Sequence, residues 1–526
     1  MKSSFFLVGR NLRLLETGRF RAHATSRNRL LAARHYSSSP DLDSKDNEGP
    51  LRGLRVLDLS RVLAAPFCTQ ILADYGADII KIEAVGKGDD TRHWMMQGET
   101  AAWKKEAGPM SNYFSAVNRN KRSMTLDLKH PKGKEVFLGL MGKTDVLIEN
   151  FKPGTMERLG IGYSKLKELN PGLIYASISG PYANRGGYDP IAGAEAGLLH
   201  VTGERKGPPV RPGLGMVDMA TGLYLHGAIL AALHARERTG KGQRVDGSLL
   251  ETQISLLTNV GLSWLNLGIE AERWGCQHPS IVPYDAFKTK DLYLVCGATN
   301  DSQFAALCKL IGLDSLAQDE RFITNPKRVE NRELLGPIFN AVFETKTTAE
   351  WVKVFDGKGL PFAPINNIEM AFSHPQVQAR NMIAHVPHNA TESGYIKLIG
   401  PAVKFSETKA SIRSQPPRLG EHTDEILAEV GMDKIEIDNF RQQDTGPGED
   451  QKDLLITAND LLKRVHNWLP IGQGNEQGPH SAILIAEGIN HRQHRWHSDK
   501  DVCAPTSQLD CRRSHECAAN GHWIHV

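Results

Sequence analysis

Strong net charge is the first thing this 526-residue sequence lacks: 63 Lys and Arg face 60 Asp and Glu, a formal +3. So near a balance leaves no electrostatic footprint for nucleic acid. No stretch reads as long and apolar enough to span a membrane, so no membrane partner is expected. Of the seven cysteines, Cys68, Cys276, Cys296, Cys308, Cys503, Cys511 and Cys517, the first four lie among apolar neighbours and read as reduced, packed thiols, not as a disulfide framework. His491, His494 and His497 with Cys503, Cys511, His515 and Cys517 fit no standard zinc spacing, so no metal is expected. No G-x-G-x-x-G is present to support a dinucleotide fingerprint.

Acid is nearly missing from the first 39 residues. Seven arginines and Lys2 face Glu16 alone, a net of +7, and Phe5 to Leu15 can form a basic amphipathic helix. An Arg-rich, Ser-rich, acid-poor leader has the composition of a mitochondrial transit peptide, and Arg34 to Ser38 offers a processing site. The expected destination is the mitochondrial matrix; a disordered basic arm is the alternative.

What is there is ordinary globular material, 40% hydrophobic and 23% charged, with length for two to four domains. After a polar linker at 40–50, Leu54 to Leu59 reads as a buried strand. A turn with Pro66 as first helical residue, a helix to Tyr75-Gly76 and a second strand, Asp78 to Glu83, follow. This β-α-β unit is a parallel-sheet signature, so the fold class is α/β. Further strands are expected at 123–128, 144–149 and 174–179. Ligands in such sheets bind beyond the carboxyl ends of strands, which draws attention to Asn150, Phe151 and Arg158 and to the residues after Leu59. The basic cluster Asn118 to Ser123 is either a solvated turn or a cradle for phosphates. Tyr284 to Val295 reads as a hairpin, helices follow to about 355, and Leu360 to Ile365 marks a boundary.

The stretch Gly207 to Gly222 holds the most telling residue. Glycines and prolines forbid regular structure up to Gly215, and Met219 to Arg238 then reads as a helix ending at Thr239-Gly240. Its small residues, Gly222 and Gly227 among them, let its backbone lie close to another. Asp218 stands where loop becomes helix. It can be an N-cap, or a nucleophile kept ionised by the helix dipole.

Taken in order, Val56-Leu57-Asp58-Leu59, Ala73 to Glu83, Gly88-Asp89-Asp90-Thr91-Arg92, Asn120-Lys121-Arg122-Ser123, Glu149-Asn150-Phe151, Pro153-Gly154, Asp218 with Thr221-Gly222, Thr239 to Gln243 and Leu419-Gly420-Glu421-His422-Thr423 form a set. Over about residues 50–443 the chain resembles the class III (formyl-CoA transferase-like, CaiB/BaiF type) CoA-transferases. The resemblance implies a Rossmann-like large domain built from both ends of the chain (40–265 and 361–443), a small middle domain (266–360) and an interlocked homodimer. Residues 444–526 form a tail outside the family pattern. It also implies that Asp218 is the nucleophile and that Leu126, Asp127, Leu128, Lys129, Asn150, Phe151 and Arg158 contact CoA.

The implied reaction moves CoA from succinyl-CoA to a dicarboxylic acid such as glutarate or 3-hydroxymethylglutarate, through an aspartyl anhydride and an aspartyl-CoA thioester. CoA and acyl-CoA are substrates, and no cofactor is needed. Glycine-rich backbone near Asp218 is expected to donate to the oxyanion. A dicarboxylate calls for a cation beyond its reacting end; Arg92, Arg119, Arg185 and Arg211 are candidates that the sequence does not rank. Two departures argue against formyl or oxalyl substrates: Leu63 replaces a family glutamine, and the glycine-rich flap has no counterpart. An α-methylacyl-CoA racemase reading needs a His where Tyr188 stands before Asp189, and Asp189 reads as a turn cap. A catalytically inactive CoA-binding form, caused by the divergent tail, is the other alternative.

Overall fold

The computed structural model describes residues 49–179 and 187–444. The basic leader, Arg185 and the His- and Cys-bearing tail lie outside the described residues. Six parallel strands, β1 (Arg55–Asp58), β2 (Asp78–Glu83), β3 (Lys121–Thr125), β4 (Val146–Glu149), β5 (Ile174–Ile178) and β6 (Arg244–Gly247), form one sheet in the order β3-β2-β1-β4-β5-β6. The inner strands are mostly apolar because both faces are covered, whereas the edge strands β3 and β6 carry polar and charged residues. Period-two alternation then sorts them. Leu57, Ile80, Leu147 and Tyr175 enter one core, with Phe137, Leu140 and Leu166. Val56, Ile79, Val146, Ile148 and Ile174 enter the other, with Leu72, Leu225 and Ile229.

The C-terminal part of the chain returns to this sheet. Ile426, Leu427, Ile437 and Phe440 are buried in the first core. The Leu419–Thr423 motif lies along the open edge of β3: Gly420 N–H donates to Ser123 Oγ at 2.9 Å, and His422 N–H to the Ser123 carbonyl at 2.9 Å. Thr423 Oγ1 accepts from Thr125 N–H at 3.2 Å. A sheet edge is thereby covered.

A second, antiparallel sheet comes from β7 (Tyr284–Lys288), β8 (Tyr293–Gly297) and β9 (Phe362–Pro364), over an aromatic core of Phe287, Phe339, Phe343, Trp351 and Phe355. The expected hairpin is β7–β8. The stretch 360–365, expected as a boundary, instead supplies the third strand. The pair β10 (Ile383–Pro387) and β11 (Tyr395–Ile399) is separate.

The long helix runs Met216–Thr239 and ends on Gly240 in the left-handed region, φ 67°. It lies against the first helix, Ala64–Asp74, so closely that a Cβ on Gly222 would stand 2.5 Å from the Ala64 carbonyl oxygen. The expectation of no membrane-length apolar stretch does not hold for this helix. By length and composition alone this helix is apolar enough to cross a membrane, with mean hydropathy 1.4 over its best 18 residues. Its alanines and glycines hide that value from a reader looking for runs of Leu and Ile. Of the described cysteines, Cys68, Cys296 and Cys308 are buried as expected, and Cys276 is exposed.

Candidate active site

The strand order reverses between β1 and β4, and the crevice of an open α/β sheet lies beyond the carboxyl ends of such a pair. Two loops meet there. The Asn150 side chain ties them together: its Oδ1 accepts from Arg61 N–H at 2.9 Å and its Nδ2 donates to the Arg61 carbonyl at 2.8 Å. Phe151 and Leu128 both pack on the edge of the first core, so the turn after β3 and the turn after β4 share one apolar footing. Leu126 is buried; Asp127, Lys129 and Arg158 are exposed. Asp127 accepts from Lys129 N–H at 2.9 Å, and Arg158 donates to Thr155 Oγ1 at 2.8 Å.

Asp218 comes from the long helix. The helix starts at Met216, three residues earlier than its sequence pattern implies, so Asp218 lies inside the first turn and is not the N-cap. The capping group comes from far away in sequence. Asp189 Oδ2 accepts from Val217 N–H at 2.8 Å and from Asp218 N–H at 3.1 Å. Those two amides are therefore spent, and the expected oxyanion donors cannot be Val217 or Asp218. A Cβ on Gly215 would stand 2.8 Å from Leu63 Cδ2, so the loop after β1 touches the start of this helix.

No hydrogen bond or ion pair of the Asp218 carboxylate is recorded among the described residues. Burial, and then the negative charge of Asp189, push its pKa from 3.8 up to about 7. Both act against the helix dipole, which alone would favour the ionised group. Tyr113 faces the same cluster. Burial and then Asp218 and Asp189 push its hydroxyl up, and Arg211 opposes them. Its ring meets Trp94 edge-on at 5.4 Å. Trp94 lies just beyond the Gly88–Arg92 motif, and Tyr113 carries no sequence signal of its own. Glu149, at the end of β4, is also pushed up to about 7 by burial, while the N–H of Phe151 opposes the shift.

The basic cluster at Asn118–Ser123 is neither a solvated turn nor a phosphate cradle. Lys121 is fully buried, 3.1 Å from Asp58, and also donates to Asn118 Oδ1 at 2.8 Å. Arg119 is paired with Asp74 at 2.6 Å, and Asn120 donates to Asp74 at 2.9 Å and to the Ser411 carbonyl at 2.8 Å. These residues hold the scaffold. Arg92 is likewise committed: it grips Glu83 through Nε at 2.8 Å and Nη2 at 2.7 Å and lies 3.6 Å over the Phe114 ring. Arg211 is exposed, and no partner for its guanidinium is recorded among the described residues.

Comparison with known proteins decides the family. The family model described as CoA-transferase family III matches residues 51–423. The chain belongs to CoA-transferase family III. It is 63% identical over 415 residues to an acyl-CoA transferase of Fusarium pseudograminearum (strain CS3096), covering 78% of this chain and 91% of that one. It is 44% identical over 400 residues to the human succinyl-CoA:glutarate CoA-transferase, covering 75% and 89%. The crystal structure of a CAIB/BAIF family protein from Brucella suis shares the fold with TM-score 0.66 and 37% identity, over 73% of this chain and all of that one. This family III member is an enzyme that transfers CoA.

Proposed function

We propose that the enzyme moves CoA from succinyl-CoA to a dicarboxylic acid such as glutarate, with Asp218 as the nucleophile. The observation that carries this is the Asp218 carboxylate itself: unpaired among the described residues, half-buried, and held in a helical first turn that touches the loop after β1. Asp218 attacks the thioester carbonyl, forming a mixed anhydride and releasing CoA thiolate. The thiolate then attacks the aspartyl carbonyl, giving an aspartyl-CoA thioester and succinate. The acceptor carboxylate attacks that thioester, and the thiolate released takes the acceptor's carbonyl from the new anhydride, restoring Asp218. Holding CoA throughout makes each return step intramolecular. CoA enters and leaves as substrate, and no step uses a metal or another cofactor. Asp189, spent on two backbone amides, is poorly suited to the proton shuttling of a racemase.

Leu126 to Lys129, Asn150, Phe151 and Arg158 are proposed to hold CoA, all near the carboxyl ends of β3 and β4. Arg211 is proposed to bind the distal carboxylate. Its support is partly by elimination, since Arg92 and Arg119 are buried against acids. Arg211→Ala is expected to raise KM for glutarate about tenfold or more, the usual scale for losing a charge-assisted hydrogen bond. Steady-state kinetics with succinyl-CoA and glutarate check both claims. A parent enzyme that forms no glutaryl-CoA contradicts the substrate pair, and an unchanged KM in the variant contradicts Arg211.

A homodimer and matrix import go with this reading. Leu262, Trp264, Leu265, Leu267 and Ile269 are each more than half exposed in the single chain, an apolar surface of the kind that subunits cover. Light scattering that returned a monomer would contradict the dimer. The acid-poor leader supports import, which fractionation of cells carrying a tagged chain tests.

A further inference from the structure

One group of buried charges has no part in the chemistry above. Lys81 and Asp89 are paired at 3.0 Å with both side chains fully buried. Both grip the loop that follows β1. Lys81 donates to the Ser60 carbonyl at 2.8 Å. The Asp89 carboxylate accepts from Val62 N–H at 3.2 Å through either oxygen, and from Thr91 N–H at 3.0 Å and Thr91 Oγ1 at 2.8 Å. Burial would push the Asp89 carboxyl up, but Lys81 and the Thr91 donors hold it below its ordinary value. The pair thus stays charged at neutral pH.

The grip acts on an unusual residue. Val62 has φ 71°, the left-handed region that a β-branched side chain strongly disfavours. Such a conformation persists only where the surroundings over-determine it. Here the determinants are visible. Asn150 takes both backbone groups of Arg61, Asp89 takes the N–H of Val62, and Lys81 takes the carbonyl of Ser60. The turn then delivers Leu63 to Gly215, three positions before Asp218. Stability alone is a weak reason for such a pair, since a buried ion pair can often be replaced by packed apolar residues at no cost.

We propose that the Lys81–Asp89 pair is a positioning device for CoA transfer: it imposes the left-handed turn at Val62 and so seats Leu63 against the helical turn that carries Asp218. Asp89 and Lys81 are positioning residues that touch no reacting atom. The proposal rests on the transferase reading of Asp218.

A double-mutant cycle between Asp89 and Val62 tests it. Glycine adopts the left-handed turn freely, so it should need Asp89 less. With Val62 in place, Asp89→Asn is expected to lower kcat about tenfold or more, with KM for succinyl-CoA changed less than about threefold. In the Val62→Gly background the same substitution is expected to cost less than about threefold. Equal losses in both backgrounds, or no loss in either, overturn the proposal. If Asp89→Asn does not fold, Asp89→Glu, which keeps the charge but displaces the oxygens, completes the cycle. Hydrogen exchange gives a readout that needs no substrate. Asp89→Ala, which removes the acceptor that an Asn side chain would keep, is expected to speed exchange at the Val62 amide about tenfold or more, and an unchanged rate overturns the proposal. A parent inactive in CoA transfer would reject the transferase reading, while the exchange result still decides whether Asp89 holds the turn.

Discussion

Asp218→Asn is expected to lower CoA transfer by about a thousandfold or more, a barrier increase of about 4 kcal/mol, while making the folded protein more stable at pH 8. The first effect follows from chemistry: an amide of the same shape keeps the backbone contacts to Asp189 but is a poor nucleophile toward a thioester. The second follows from burial. The Asp218 carboxyl titrates near 7 in the folded enzyme against 3.8 for a free side chain. Folding therefore favours its protonated form. Below the unfolded value the group is protonated in both states and costs nothing. As pH rises from about 4 towards 7 the unfolded chain gains by ionising, and folding stability is lost until the folded group ionises too. The full shift corresponds to about 4 kcal/mol, which partial exposure to solvent reduces to about 1–2 kcal/mol. Unfolding measured at pH 4 and pH 8 should show the variant equal to the parent at the first and more stable at the second. Equal stability at both would mean that Asp218 is an ordinary solvated carboxylate. The same shift sets activity: kcat/KM is expected to rise with pH through about 7, because the anion attacks. Glu149 also titrates near 7, so Glu149→Gln is the control. The midpoint should survive that substitution.

Two glycines of one helix are expected to respond with opposite signs. A Cβ on Gly222 meets the Ala64 carbonyl oxygen at 2.5 Å, Phe67 Cδ1 at 3.1 Å and the Cys68 amide nitrogen at 3.3 Å. Two of these are backbone, which has little freedom to move. Gly222→Ala should therefore push the long helix away from the first helix and destabilise the fold by about 1–3 kcal/mol. Gly227 has nothing within 4 Å of its Cβ position. There, alanine removes only the conformational freedom of the unfolded chain and the poor helix propensity of glycine. Gly227→Ala should stabilise by about 0.5–1 kcal/mol. Denaturant unfolding of the two variants gives both numbers. A neutral Gly222→Ala would mean that the helices are not packed backbone to backbone. Activity should follow stability only at Gly222, because the displaced helix carries Asp218.

The middle of the sheet was legible because its inner strands are short, mostly apolar segments with both faces buried, unlike the polar edge strands β3 and β6. Tyr284–Gly297 was legible for the same local reason. Charges were not. Lys121 and Arg119 look like a solvated turn because their partners, Asp58 and Asp74, lie 63 and 45 residues away in the chain. Only the fold brings them together. The start of the long helix is not legible for a similar reason. Its cap is the side chain of Asp189, 29 residues before Asp218, and no local pattern announces a cap supplied from another helix. Thr423, at the start of its helix, accepts from Thr125 N–H of β3 and does not cap that helix, because an open sheet edge competes for the same oxygen. Asp218 itself was found from the change of texture around it together with the ordered family motifs. Its raised pKa, which comes from burial beside Asp189, could not be read from the sequence.

The measurement that tests the central claim most directly is the mass of the full-length enzyme after mixing with succinyl-CoA and no acceptor. A covalent adduct of one CoA less one water is expected, mapped to the peptide that carries Asp218, lost on adding glutarate and never formed by Asp218→Asn. An active enzyme with no adduct, or with the same adduct in the Asn variant, would contradict the claim that Asp218 carries CoA between donor and acceptor.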